Sequence, residues 1–148
     1  MRVAELAEVR PLQLEVLRPT GPLPGDRPPP AEALHVAALR DGVVIGAATV
    51  LPERWPGPGA IAEPVWRLRA VVVVEGVRGT GVGRAVVARA TELAASQGAS
   101  SLWAEARSSA LGFYERSGWT VIGDEWIKAG IGPHRYIQMD LRESVPRP

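Results

Sequence analysis

The spacing of hydrophobic and polar positions differs from segment to segment along the chain. Over residues 34–74 it predicts a hairpin followed by a buried strand. Leu34–Arg40 and Val43–Leu51 are β runs joined by Asp41-Gly42, a dipeptide suited to a tight hairpin turn. Trp66–Val74 alternates at first and then becomes wholly apolar. This pattern predicts a strand whose far half is covered on both faces.

The second half of the chain alternates between helical and strand periods. Apolar residues recur at helical spacing over Gly81–Gln97, and Gly98 is a suitable C-terminal cap. The segments that follow are predicted as a strand, a helix ended by Gly118, and two closing strands: Ser101–Ala106, Ser109–Ser117, Trp119–Ile127 and Arg135–Leu141. The order predicts an α/β or α+β fold with a parallel pair at the strand–helix–strand crossover.

Proline marks the irregular part of the chain. Of 14 prolines, 11 precede residue 65, and proline interrupts both helices and sheet ladders. We therefore predict two surface loops, Pro19–Pro30 and Pro52–Pro64. We also predict a helix over Pro11–Arg18, because proline is favoured as the first helical residue; Val3–Val9 is too short to predict. The length suits one domain, residues 1–148.

Composition and charge exclude several classes of function. With 17 basic and 16 acidic residues, the net charge is +1, so no broad field favours nucleic acid or a membrane as partner. The absence of cysteine excludes disulfides and thiolate nucleophiles, and two distant histidines give no metal-ligand spacing. No apolar stretch reaches the ~18 residues of a membrane span, and the N-terminus is not a signal peptide. We expect a soluble, cytoplasmic protein without a metal.

The glycine-rich segment Val71–Arg84 is the strongest functional signal. A buried strand runs into a turn with closely spaced glycines, where a helix begins. Free N–H groups at such a helix start bind phosphate groups, and Arg78 and Arg84 add charged donors.

A P-loop is excluded because it needs Gly-Lys-Ser/Thr and the only lysine is Lys128. A dinucleotide fingerprint is disfavoured because Arg84 follows Gly83; tight strand–helix packing is the non-functional alternative.

Two motifs resemble those of the GNAT acyltransferase superfamily. Arg78–Gly83 matches its Arg/Gln-x-x-Gly-x-Gly/Ala pattern at the start of the central helix, and Ala110–Trp119 is similar to its Ala-x-x-Phe-Tyr-Glu-x-x-Gly-Phe segment. Leu14–Pro19 and Gly130–His134 resemble a bacterial branch of small GNAT proteins. The resemblance extends over nearly the whole chain.

The resemblance implies the GNAT-like acyl-CoA N-acyltransferase fold, a mixed central sheet with two splayed parallel strands, flanked by helices. It implies acetyl-CoA as cosubstrate, with its diphosphate on the backbone amides of Gly79–Arg84 and its pantetheine arm along the preceding valines. The implied cofactor-binding residues are Val71, Val72, Val73, Arg78, Gly79, Thr80, Gly81, Val82, Gly83 and Arg84. The implied reaction is N-acetyl transfer, by direct attack of a primary amine of a small molecule or peptide on the thioester.

The same resemblance makes Tyr114 the candidate catalytic residue, as hydrogen-bond donor to the leaving thiolate. The alternative interpretation of Tyr114 is a core aromatic residue whose hydroxyl is hydrogen-bonded within the protein. Arg107 departs from the family pattern, because many members carry Asn seven residues before the tyrosine. Arg107 and the lack of an obvious base leave a second hypothesis open: a non-catalytic GNAT-fold protein that binds CoA as a sensor or interaction module.

The general base and the roles of the tryptophans stay open. Four residues are candidate bases, although each is more typical of a structural or solvated group: Glu53, Glu63, Glu105 and His134. His35, in an apolar strand, is expected to be a hydrogen-bonded core residue. We expect Trp66, Trp103 and Trp119 to pack in the core. Trp55 and Trp126 are candidates for an acceptor pocket or for the contact of a homodimer.

Overall fold

The computed structural model describes residues 1–23 and 26–142 of the 148-residue chain. Within them, seven strands and three α-helices follow in the order β1 (Arg2–Ala4), α1 (Leu6–Leu17), β2 (Leu34–Arg40), β3 (Val43–Pro52), β4 (Val65–Val73), α2 (Val82–Ser96), β5 (Ser101–Arg107), α3 (Leu111–Arg116), β6 (Thr120–Lys128) and β7 (Gly132–Asp140). The strands form one mixed sheet in the order β1-β2-β3-β4-β5-β7-β6, which confirms the predicted α+β class. Pro24 and Gly25, inside the predicted loop Pro19–Pro30, lie outside the described residues.

The hairpin forms as its turn residues predict. β2 and β3 pair antiparallel, with Leu34 opposite Val50 and Arg40 opposite Val43. Asp41 and Gly42 have φ angles of 51° and 78°, and the tight two-residue turn requires this left-handed conformation at both positions.

The predicted start of the first helix is wrong. α1 begins at Leu6, five residues before Pro11. The Glu8 carboxylate accepts a hydrogen bond from the N–H of Glu5 (3.1 Å), which stabilises this earlier start. Pro11 is then an interior residue, and its missing N–H removes one helical bond. Burial of Val9 and Leu12 on either side of the proline keeps the helix continuous.

Contacts divide the chain into two compact units, Met1–Leu51 with Leu68–Ala94 and Pro52–Arg67 with Ala95–Pro148. In the first unit, α1 packs Val9 and Leu12 against Ala47 of β3. The neighbouring residue, Gly46, faces α2: a Cβ there would lie 2.7 Å from a methyl group of Val82. Successive strand residues point to opposite faces, so the two helices cover opposite faces of this part of the sheet.

The second unit contains the predicted parallel crossover pair. The first three residues of β4, Val65–Arg67, pair parallel with Ser101–Trp103 of β5, and within the described residues the pairing extends no further. β7 pairs antiparallel with β5 along seven residues and with β6 on its other edge. The prediction of core tryptophans is confirmed, because Trp66, Trp103 and Trp119 are buried. Trp55 is buried as well.

Candidate active site

The segment between β4 and α2 folds as successive turns that require glycine. The N–H of Val77 donates to the carbonyl of Val74 (3.1 Å), and the N–H of Thr80 donates to the carbonyl of Val77 (3.3 Å). Gly79 and Gly81 have φ angles of 81° and 92°, in the left-handed region where other residues are strained. The glycine spacing seen in the sequence is therefore a conformational requirement of this turn.

The turn presents backbone N–H groups that the described chain leaves without partners. The first bond of α2 runs from the N–H of Ala85 to the carbonyl of Gly81 (3.0 Å). The Thr80 hydroxyl donates to the carbonyl of Val77, so it does not cap the helix. Within residues 1–23 and 26–142, five successive or neighbouring N–H groups make no hydrogen bond: Gly79, Gly81, Val82, Gly83 and Arg84. Such groups, at the positive end of a helix dipole, attract anions.

The space and charge around these N–H groups suit a diphosphate. A Cβ built on Gly79 or Gly81 meets no atom within 4 Å, so the surface in front of the turn is open. Arg84 lies in the first turn of α2, which has no acidic residue. A cation there opposes the helix dipole by about 0.3–1 kcal/mol, and a bound anion offsets this cost. Arg78 bends back to β4, where its Nε donates to the carbonyl of Val73 (3.2 Å).

The strand that leads into the turn is irregular at one residue. Ala70 has a φ of 54°, and a non-glycine residue in this conformation costs about 1 kcal/mol or more. Beyond it, Val72 is buried against α1, while Val71 and Val73 are half-buried.

A buried hydrogen-bond chain, which the sequence pattern did not predict, supports this irregularity. Gln13 Nε2 donates to the carbonyl of Ala70 (3.1 Å) and to the hydroxyl of Thr49 (2.9 Å). The Thr49 hydroxyl also contacts His35 Nδ1 (2.8 Å), which confirms the expected hydrogen-bonded core histidine. Burial lowers the pKa of His35. The available signal was Gln13 itself, a polar residue next to Leu12 on the buried face of α1.

Tyr114 lies on α3 in the second unit, in an aromatic setting. Its ring packs edge-on against Phe113 and Trp119, with centroids 5.0 and 5.8 Å apart. Burial raises the pKa of Tyr114 to about 12, so the phenol keeps its proton at neutral pH. Within the described residues its hydroxyl makes no hydrogen bond, which leaves it able to donate to a ligand. Arg107, at the end of β5, is exposed.

Two of the four candidate bases are held by cations in the second unit. Arg67 Nη1 lies 2.9 Å from Glu53 and its Nη2 lies 3.4 Å from Glu105. Lys128 Nζ also lies 2.6 Å from Glu105. Both carboxylates are thus engaged in ion pairs with cationic side chains.

The other two candidate bases are placed differently. Glu63 is exposed. His134 is buried, its Nδ1 lies 2.9 Å from the carbonyl of Gly132, and its ring is 5.4 Å from that of Trp126. A carbonyl can only accept, so Nδ1 is the donor in this contact.

An aromatic cluster occupies the same unit. The rings of Trp55, Trp103 and Tyr136 meet edge-on, with centroids 5.2–6.0 Å apart. Trp103 Nε1 donates to the carbonyl of Glu53 (2.9 Å), and the Arg67 guanidinium lies 4.8 Å from its ring centroid. Trp55 is therefore part of this packed cluster.

The described residues contain no group of three or more His, Asp or Glu side chains arranged to hold a metal ion. None of the helices in the described part of the chain has the length and apolar character that crossing a bilayer requires.

A mixed sheet of this order, with a glycine turn of unpaired amides at the start of α2, defines the class of acyl-CoA N-acyltransferase folds. Residues 4–119 match the acetyltransferase (GNAT) family. The chain belongs to this family, which confirms the resemblance inferred from the two motifs.

Individual proteins show the same relationship. The uncharacterized N-acetyltransferase YitI of Bacillus subtilis is 29% identical over 113 residues, 76% of this chain and 74% of YitI. An acyl-CoA N-acyltransferase from Pseudomonas aeruginosa shares the fold with a TM-score of 0.72 and 21% identity, over 90% of this chain and 89% of that chain. Aminoglycoside 6'-N-acetyltransferase complexed with coenzyme A shares the fold with a TM-score of 0.71 and 16% identity, over 100% of this chain and 99% of that chain.

Proposed function

We propose that the protein transfers the acetyl group of acetyl-CoA to a primary amine of a small molecule or peptide. The observation that carries the proposal is the set of unpaired N–H groups at the start of α2, beside glycines that leave the approach open. Family membership supports the reaction class. The coenzyme A bound to a neighbour of the same fold supports the cosubstrate.

The residues of the turn and of β4 fit the two ends of this cosubstrate. The N–H groups of Gly79–Arg84 would hold the diphosphate, and the guanidinium groups of Arg78 and Arg84 would add charge-assisted hydrogen bonds. The backbone of Val71–Val73 would pair with the pantetheine arm as a short added strand. A backbone N–H near Val71 or Val73 would polarise the thioester carbonyl.

Acetyl-CoA supplies a thioester whose carbonyl carbon takes the amine nitrogen as the sulfur leaves. The protein contributes first by holding both reactants in register. The attacking amine must be neutral, whereas the pKa of a free alkylamine is about 10.4 and that of an α-amine is about 7.7–8.0. A base, or a water chain that leads to one, therefore takes a proton from the nitrogen.

Tyr114 acts in this proposal as a hydrogen-bond donor that keeps its proton. Its pKa is raised to about 12, whereas a thiol has a pKa near 8.5. Complete transfer of the phenol proton to the thiolate would cost about 5 kcal/mol for this difference of about 3.5 units. The sulfur therefore takes its final proton from elsewhere, and Tyr114 stabilises the negative charge while the bond breaks.

Calorimetric titration with CoA tests the binding site through two matched glycines. Gly81→Asp places a side chain and a negative charge before the unpaired amides. Gly98, beyond the other end of α2, has nearly the same φ (90° against 92°) and equally open surroundings. We expect Gly81→Asp to abolish CoA binding and Gly98→Asp to retain it. Undiminished binding by Gly81→Asp, or equal loss in both variants, contradicts the assignment.

Thiol release from acetyl-CoA across a panel of amines tests the reaction. We expect release that depends on at least one primary amine. Tight CoA binding without release by any amine would contradict the enzymatic proposal and support the CoA-binding sensor or interaction module.

A further inference from the structure

A cavity of about 180 Å³ lies within the first unit, beside α1. Arg10 and Gln13 of α1 line it, together with Thr49 of β3 and with Arg69 and Ala70 of β4. The remaining lining residues come from the end of α1 and the segment after it. The cavity therefore lies beside the irregular residue of the strand that leads to the glycine turn.

The charge of the lining is strongly positive. Four arginines and one aspartate line the cavity. Arg18 compensates the aspartate, because its Nε and Nη2 lie 2.6 and 2.9 Å from the two carboxylate oxygens of Asp26. In the described part of the chain no carboxylate pairs with Arg10 or Arg27, and Arg69 adds a further positive charge. Guanidinium groups of this kind bind carboxylates, often with two parallel hydrogen bonds.

The cavity also contains a hydrogen-bond acceptor on a largely buried side chain. The Gln13 side chain is only 6% exposed, and its Nε2 donates to Thr49 and to the Ala70 carbonyl. No donor from the described residues reaches its Oε1. Because Gln13 lines the cavity, this oxygen is an acceptor open to the N–H of a ligand.

Position and size point to the acceptor substrate. Ala70 directly precedes Val71–Val73, the backbone proposed to hold the pantetheine arm, and adjacent Cα atoms are about 3.8 Å apart. The cavity volume of about 180 Å³ corresponds to roughly six water molecules at ~30 Å³ each. It therefore suits a small molecule or the end of a longer one.

We infer that this cavity binds the acceptor and that the acceptor is a small amine carrying a carboxylate. The inference rests on the proposed function. Arg10, Arg69 and Arg27 hold the carboxylate, and Gln13 Oε1 accepts a hydrogen from the amine nitrogen. Because the nitrogen donates through its hydrogen, its lone pair stays available for attack beside Val71.

Binding without acetyl-CoA tests the cavity separately from the reaction. The ligands are matched pairs that differ in the carboxylate: glycine with glycinamide, and β-alanine with β-alaninamide. We expect the carboxylate member to bind about 10- to 100-fold more tightly, as charged hydrogen bonds imply. Arg10→Gln and Arg69→Gln should each lower its affinity about tenfold and leave the amide unaffected. Arg40→Gln, an exposed arginine of the same unit outside the cavity, should change neither.

The outcomes separate this inference from the proposed function. Arginine-dependent carboxylate binding without acetylation would support the cavity and contradict the activity. Acetylation of neutral and carboxylate amines with equal kcat/KM, unchanged in Arg10→Gln and Arg69→Gln, would contradict the cavity and leave the activity standing. Preference for O-phosphoethanolamine over every carboxylate amine would contradict the carboxylate assignment and identify phosphate as the anion.

Discussion

Tyr114→Phe removes one hydroxyl group and leaves the aromatic packing in place. The contacts with Phe113 and Trp119 are made by the ring, and the hydroxyl makes no hydrogen bond with the described part of the chain. We therefore expect the free energy of unfolding to change by less than about 0.5 kcal/mol. A loss of activity can then be assigned to chemistry.

The size of that loss follows from the role proposed for the phenol. A hydrogen bond to a charged group contributes about 1.5–3 kcal/mol, which corresponds to about a 10- to 150-fold decrease in kcat. The charge on sulfur develops only as the bond breaks, so KM for acetyl-CoA should stay the same. The raised pKa of Tyr114, about 12, also predicts no loss of wild-type activity below about pH 10 from ionisation of this group.

Continuous thiol detection with the best amine of the panel gives kcat and KM, and urea denaturation gives the stability. Tyr136→Phe is the matched control, because Tyr136 is the other tyrosine of the chain. Its kcat should stay within about threefold, since the Tyr136 hydroxyl makes no hydrogen bond with the described residues. A kcat for Tyr114→Phe within twofold of wild type would refute the donor role. An equal fall in kcat and in stability would indicate a structural role instead.

Two further predictions concern the buried chain beside β4. Gln13→Leu leaves the Ala70 carbonyl without its donor and removes one from Thr49, so it should lower the free energy of unfolding by about 2–3 kcal/mol; a change below about 0.5 kcal/mol in urea denaturation would contradict this. Burial lowers the pKa of His35, so the unfolded chain binds the proton more readily than the folded protein does. The neutral His35 therefore contributes to stability above about pH 6.5, the pKa in the unfolded chain. This contribution is lost as the pH falls from there through the pKa of the folded protein. The stability difference between wild type and His35→Gln should therefore shrink from about pH 7.5 to about pH 5, and a constant difference would refute it.

The regular elements follow from local sequence signals. Leu34–Arg40 is a strand with the predicted bounds, because its run of apolar residues and the Asp41-Gly42 turn act within a few positions of one another. The start of α1 was not predictable from Pro11 alone. It depends on the Glu5–Glu8 hydrogen bond and on burial against the sheet, and burial of this kind is set by tertiary contacts.

The candidate site likewise has parts that the sequence predicts and parts that depend on tertiary contacts. The turn at Gly79 and Gly81 could be predicted because its glycines carry the backbone conformation themselves. The left-handed Ala70 could not, because alanine has no intrinsic preference for that conformation and a donor from Gln13, 57 positions away in the chain, stabilises it. The cavity beside it is likewise formed by residues distant in sequence.

Amide-resolved NMR during titration with CoA tests the central claim most directly, since it reports on the N–H groups themselves. The account predicts that the amide signals of Gly79, Gly81 and Gly83 shift most, and that inorganic pyrophosphate moves the same signals. CoA binding that leaves these three amides unshifted while signals elsewhere move would contradict it.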